Sequence, residues 1–180
     1  IARSYVPGGL GGWVIYNKSD PMAPLELTIE VDERIGADGS VVRELQEQSL
    51  RERLMFLKNK GIEALTVSLI NSFANGIHEQ RVKEIANEVM PDIPVSLSSD
   101  VIPEMQEYER TVTTVANSYV RPKVQSYIRN LTTELSARMD DVKLHVLRSD
   151  GGLSSAASAE EYPVNLFMSG PAGCVAGAIW

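Results

Sequence analysis

Three stretches of this chain hold side chains at spacings that can do chemistry. From Pro103 to Thr111 the residues Glu104, Glu107, Glu109 and Arg110 place carboxylates beside a guanidinium. Paired carboxylates can act as general acid and base. No catalytic residue is assigned, and Glu107 and Arg110 are the candidates this run offers. A solvated helix face laced by Glu–Arg pairs is the competing reading. The second stretch is Ser149–Asp150–Gly151–Gly152, directly after an apolar run. Two glycines after a strand let a backbone come close to a ligand or a neighbouring element, and a tight turn is the plainer use. The third is Asn165–Ala178, NLFMSGPAGCVAGA. Ser169 or Gly170 can cap a helix there, and Pro171 suits its first turn. Gly173, Ala176 and Gly177 then leave a bare face on which another backbone can pack. The free N–H groups of such a helix start can also receive an anion.

Other chemistry finds no support. His78 and Glu79 are adjacent, so on a helix they point about 100° apart and cannot chelate together. HExxH would need a histidine at position 82, which is Val. The pair reads as an exposed helix start, with Glu79 favourable near the positive end of the dipole. His145 falls in an expected strand, and no metal is assigned. Cys174 reads as a small buried residue. Ser169 stands outside any Gly-x-Ser-x-Gly elbow. Neither GxGxxG nor a loop ending in Gly-Lys-Ser occurs, so Pro7–Gly12 reads as a turn.

The 180 residues carry a net charge of −7, with 43% apolar and 23% charged residues. That balance fits a globular α/β chain and gives no electrostatic support for binding nucleic acid or an anionic membrane. One cysteine excludes an internal disulfide and fits a reducing, cytoplasmic setting. No apolar run reaches membrane length. The chain starts at Ile1 without Met and stops at Trp180 without a polar tail, which reads as a piece of a longer polypeptide.

The positioning elements follow from periodicity. Trp13–Tyr16 suits a short strand or a lid. Leu25–Asp32 alternates apolar with polar and reads as a half-buried strand, turning at Ala37–Ser40 into a return strand at Val41–Val42. Gln46–Lys60 is an expected helix with Leu50, Leu54 and Leu57 on one stripe and Gly61 as its stop. A buried strand at Ile62–Ile70, a helix at Ile77–Met90 and a strand at Val95–Leu97 follow. This order is that of a layered α/β unit with a parallel pair and a crossover helix. Glu104–Met139 reads as a long helical region. Its first stripe is Met105, Tyr108, Val112, Val115 and Tyr119, and Pro122 marks a kink or a new start. Asp141–Arg148 is a strand, Ser154–Tyr162 a short helix or loop, and Gly170–Ala178 a helix.

Several of these motifs together resemble the hydantoinase A / 5-oxoprolinase family. They are SGPAG at Ser169–Gly173 with Val175, Gly177 and Ala178; Val31-Asp-Glu-Arg34 with Asp38-Gly39; and Pro103-Glu104, Glu107–Thr111, Asn117–Tyr119 and Pro122. Asp150-Gly-Gly stands where the family usually carries Asn-Gly-Gly. The resemblance implies a fragment of an actin-like, ribonuclease H-like ATPase core. Residues 1–112 would end the N-terminal domain and 113–180 would begin the hydantoinase A/oxoprolinase domain. It implies ATP and Mg in the full-length enzyme, and a hydantoinase B-like partner subunit or domain. The activity implied is phosphorylation of an amide, lactam or enol oxygen for ring opening or ketone carboxylation. The carboxylase branch is favoured by Pro7–Trp13, Lys18-x-Asp20-Pro21 and Val67–Ser72, which resemble acetone- and acetophenone-carboxylase subunits. It makes Asp150, Gly151, Gly152, Ser169, Gly170, Pro171, Ala172, Gly173 and Gly177 a nucleotide or hinge region. The fragment itself is expected to be inactive. A non-catalytic piece that docks a partner subunit is the alternative.

Overall fold

The computed structural model describes residues 20–139 and 142–179. Pro7–Gly12, Trp13–Tyr16, Asp141 and Trp180 lie outside the described residues. The first helix, α1 (Glu47–Asn59), buries Leu50, Leu54 and Leu57 as its stripe requires. Gly61, at φ +71°, takes the left-handed turn that ends it. Then come β3 (Leu65–Val67), α2 (Ile77–Val89) and β4 (Val95–Leu97). The two strands pair in parallel, Leu65 with Val95 and Val67 with Leu97, and α2 is the crossover between them.

Side chains alternate across a strand, so this pair has two different faces. On one face Leu65, Val67, Val95 and Leu97 meet the leucines of α1 and Val82, Ile85 and Ala86 of α2. This is the apolar core. The other face is covered by α4 (Glu107–Arg138), a continuous helix of 32 residues that follows the single-turn α3 (Ser98–Val101). Pro122 lies inside α4 and does not divide it. The face that α4 buries is Arg110, Thr114, Asn117, Ser118 and Ile128. Four of these five are polar, which departs from the expected apolar stripe. Met105 and Tyr119 of that stripe are instead 69% and 65% exposed. The strand surface beneath α4 explains this: Thr66, Ser68 and Ser96 point at the helix and call for hydrogen-bonding partners.

Smaller departures have similar causes. Leu25–Leu27 is a 3-10 turn and Leu25 is 83% exposed. Alternating burial does hold from Leu27 to Ile35, but the described ladder starts only at β1 (Arg34–Ile35). It pairs with β2 (Val41–Arg43) around the Asp38–Gly39 turn. Burial alternation needs only one packed face, whereas a ladder needs a neighbouring strand. His78 and Glu79 are buried, at 5% and 0% exposure, contrary to the expected exposed helix start. Neighbouring elements close over that end of α2. Cys174 is exposed rather than buried, because the face of its helix that carries it meets no described element. The chain then forms β5 (His145–Leu147) and β6 (Leu153–Ser155) as a hairpin, α5 (Ala156–Glu161), a 3-10 turn at Pro163–Leu166, and α6 (Ser169–Ile179). Ser154 and Ser155 are strand where helix or loop was expected, since pairing with β5 overrides local polarity.

Candidate functional site

Two of the three candidate stretches come together. The turn after β5 and the lead into α6 are tied by one serine. Ser149 N–H and Oγ both donate to the Asn165 carbonyl at 2.7 Å. Met168 N–H in turn donates to Ser149 Oγ at 3.0 Å, one residue before α6 begins. Gly151, at φ +84°, makes the tight return that lets Arg148 N–H reach the Gly152 carbonyl at 2.8 Å. Asp150 closes this turn on itself: its Oδ1 accepts from Gly152 N–H at 3.0 Å and its Oδ2 pairs with Arg148 at 2.8 Å. On α6, a Cβ at Gly173 would stand 2.7 Å from Leu147 Cδ2, so this glycine is where α6 approaches β5. Gly170 and Gly177 meet nothing within 4 Å.

Most of the turn's polar groups are thus committed to one another, although Arg148 Nε is buried without a partner. The Asp150 carboxylate adds negative charge, and Arg148, the cation within the turn, is spent on it. A triphosphate with Mg²⁺ needs free N–H donors, cations and oxygen ligands for the metal. The groups present here do not fit that need, and the described residues hold no cluster of metal-ligating side chains. No chemical step is routed through this turn.

The first stretch lies elsewhere. Arg110 is fully buried beneath the start of α4. Its Nε donates to Ser98 Oγ at 3.1 Å, and its two terminal nitrogens donate to the Glu104 carbonyl at 2.7 Å and the Leu69 carbonyl at 3.0 Å. The ring of Phe73 lies 5.5 Å from the guanidinium carbon. Glu107 is half-exposed and sits 3.6 Å from Arg110. The carboxylate most engaged here is Glu79, which sequence reasoning set aside. It accepts from Leu69 N–H at 2.8 Å, Ser98 Oγ at 2.7 Å and Ser99 N–H at 2.8 Å. Ser98 therefore relays between the acid of α2 and the base of α4. A second joint stands two turns along α4. Asn117 donates to Ser96 Oγ and to the Glu161 carbonyl, both at 3.1 Å, and accepts from Val164 N–H at 3.1 Å. Arg121, one turn further, donates to the Val95 carbonyl at 2.7 Å, and burial pushes its pKa below the usual value. Burial raises the pKa of the nearby Tyr162.

These joints left a trace in the sequence. Arg110, Thr114, Asn117 and Ser118 recur at i, i+4, i+7 and i+8, the period of a buried helix face written in polar residues. A search for apolar stripes passes over it. No such trace marks Glu79, whose partners are mostly backbone groups from other elements.

Comparison with known proteins now adds to this geometry. Residues 10–90 match the hydantoinase/oxoprolinase N-terminal region and residues 110–180 match the hydantoinase/oxoprolinase model. The chain is 33% identical to the acetophenone carboxylase gamma subunit of Aromatoleum aromaticum over 92% of its own length and 23% of that protein. Two solved structures share the fold. A nucleotide-free acetone carboxylase, from work on ATP-dependent acetone carboxylation, matches with TM-score 0.80 and 29% identity over 91% of this chain and 23% of its own. The ATP-dependent caprolactamase of Pseudomonas jessenii matches with TM-score 0.74 and 30% identity over 83% of this chain and 22% of its own. The chain thus spans under a quarter of the length of these relatives. Among the described residues no helix is long and apolar enough to cross a membrane. The buried Glu79–Ser98–Arg110 joint ties the region matched by the first model to the start of the second, and the chain belongs to the hydantoinase/oxoprolinase family.

Proposed function

We propose that these residues are the connecting part of an ATP-dependent enzyme of hydantoinase/oxoprolinase type. In this reading the whole protein phosphorylates an amide, lactam or enol oxygen. The activated group then serves the opening of a cyclic amide or the carboxylation of a ketone. ATP and Mg²⁺ are held by groups outside the described residues, and a hydantoinase B-like subunit or domain completes the enzyme. Residues 1–112 close the first domain and 113–180 open the second, a boundary that falls inside α4. Asp150, Gly151, Gly152 and Ser169–Gly177 act as a hinge region rather than as a phosphate grip. Arg110 and Glu107 serve by holding α4 in place.

The observation that carries this reading is the Ser149 tie, which makes the Asp150 turn and the start of α6 one piece, taken with the family membership. A rigid turn–helix unit with a bare helix face suits motion between two lobes. The test uses the full chain with its partner subunit and follows ADP release. Substrates to compare are 5-oxoproline, N-methylhydantoin, caprolactam, and acetone or acetophenone with bicarbonate. Release stimulated by one of these supports the reading. Release indifferent to all of them removes the assigned chemistry. The isolated 180-residue chain should show no ATP turnover.

A further inference from the structure

Asn117 of α4 is fully buried, and its side-chain amide serves three elements at once. The nitrogen donates to Ser96 Oγ on β4 and to the Glu161 carbonyl at the end of α5, both at 3.1 Å. The oxygen accepts at 3.1 Å from Val164 N–H, inside the 3-10 turn Pro163–Leu166. Chemistry forces this orientation. A carbonyl can only accept and a backbone N–H can only donate, so the nitrogen must face Glu161 and the oxygen must face Val164. An aspartate at this place would have no proton for Glu161, and a leucine would serve none of the three.

The next residue of the turn carries the contact onward. Pro163, buried at the head of the turn, has a fixed φ, and Asn165 N–H closes the turn on the Tyr162 carbonyl at 3.1 Å. Val164 and Asn165 therefore move together. The Asn165 carbonyl accepts from Ser149 Oγ at 2.7 Å, and the same hydroxyl accepts from Met168 N–H at 3.0 Å. One proton and two lone pairs let a single hydroxyl do both. Hydrogen bonds thus run without a break from Ser96 on β4, through Asn117, the turn and Ser149, to the residue before α6. None of the described residues of α6 is buried, so packing along its sides does little to place it. The lead-in does.

We infer that Asn117 is a positioning residue for the start of α6, acting through the 3-10 turn and Ser149 to hold that helix at one place relative to β4. Its bearing on turnover rests on the enzyme reading given under the proposed function. There the Asp150 turn and the start of α6 travel with α4 and β4, and motion of the hinge region pivots beyond Met168. Breaking the run at either end loosens the fixed side of that hinge without removing any group that touches nucleotide or substrate.

The test is hydrogen exchange at single amides, without nucleotide, in the full natural chain that contains these residues. Asn117→Ala is compared with Thr114→Val, a buried position on the same face of α4 whose hydroxyl donates to the Arg110 carbonyl of its own helix. Leu65 N–H, bonded to the Pro94 carbonyl at 2.9 Å, reports the stability of the sheet. Relative to Leu65, Met168 N–H should exchange on the order of 10-fold faster in Asn117→Ala and should be unchanged in Thr114→Val. Ser149→Ala breaks the run at its other end and should speed exchange at Val164 N–H by a similar factor. This second variant decides alone if Asn117→Ala does not fold. A Met168 amide that follows Leu65 in Asn117→Ala overturns the inference, and so does a Val164 amide indifferent to Ser149→Ala. Turnover separates the inference from the enzyme reading. Where substrate stimulates ADP release by the parent, Ser149→Ala should lower kcat on the order of 10-fold with KM for ATP held within about twofold. An unchanged kcat, or a KM that rises as kcat falls, overturns the positioning role. A parent that no substrate stimulates removes the enzyme reading, and exchange at Met168 and Val164 then decides the inference by itself.

Discussion

The two faces of the β3–β4 pair are held by opposite means. The α1–α2 face is apolar throughout, with Leu54, Leu57 and Leu97 at 1% exposure and Ile85 at 0%. The α4 face is held by hydrogen bonds from Arg110, Asn117 and Ser118, with Glu79 reaching the same joint from α2. An apolar face tolerates change in proportion to the volume lost. A polar joint tolerates it badly, because each partner removed leaves another group buried and unpaired. The difference is one of specificity as well as strength. Leucines can slide past one another, whereas the Ser98 relay fixes α4 at one register on the sheet.

The largest effect should therefore come from the polar side. Glu79→Ala strips partners from Leu69 N–H, Ser99 N–H and Ser98 Oγ, and so breaks the buried relay through Ser98 to Arg110. A loss of about 3–5 kcal/mol is expected, read from urea unfolding. Glu79→Gln should recover part of it, because the amide oxygen can still accept. If Glu79→Ala costs less than 1 kcal/mol, the joint does not hold α4.

On the apolar side, Ile85→Ala should cost about 2–4 kcal/mol with the fold retained. Its unfolding slope should stay near that of the parent. A change in slope, with tertiary structure lost before secondary, would mean that this face also fixes register.

Gly173 and Gly177, two of the three glycines of α6, extend the contrast to a helix that meets β5 at the first and no described element at the second. Gly177→Ala should raise stability by about 0.5–1 kcal/mol through helix propensity alone. Gly173→Ala should gain less, because its Cβ meets Leu147 Cδ2. If the proposed hinge holds, Gly177→Leu in the whole protein should lower ATP turnover more than it weakens ATP binding. Unchanged turnover in a folded enzyme would leave only a capped helix.

The smallest effect is at the surface. Glu47 accepts from Arg81 at 2.7 and 2.8 Å, and these bonds hold its carboxyl below the usual carboxylate range. A depressed folded pKa gives stability that is present above the unfolded value and lost as pH falls through the folded one. Arg81→Gln should thus lower Tm slightly at neutral pH and leave it unchanged in acid below that range. A Tm difference persisting in acid would point to packing of the Arg81 stem instead.

Much of the fold was legible because apolar periodicity is a local signal. Leu50, Leu54 and Leu57, the buried run from Ile62 to Ile70, and Val82, Ile85 and Ala86 fixed α1, β3 and α2 in place and order. The same signal misled on α4, where Met105 and Tyr119 read as core and lie in the open. Length and helical character were right there, and the buried side was wrong, since a polar stripe of the same period carries the contact. Of the candidate site, the chain showed the Asp150 turn and the α6 helix separately.

What the sequence determined alone is the class of most elements, their approximate bounds and the family motifs, because these depend on neighbours within a few residues. Only the tertiary structure decided which polar groups are buried. Glu79 reads as a surface acid until Leu69, Ser98 and Ser99, 10 to 20 residues away, close around it. The same holds for Ser149, an ordinary turn serine until Asn165 and Met168 fold back onto its hydroxyl. A carboxylate or hydroxyl is compatible with water or with burial, and nothing within its own segment chooses. The choice is made by donors and acceptors that distant segments cannot satisfy in any other way.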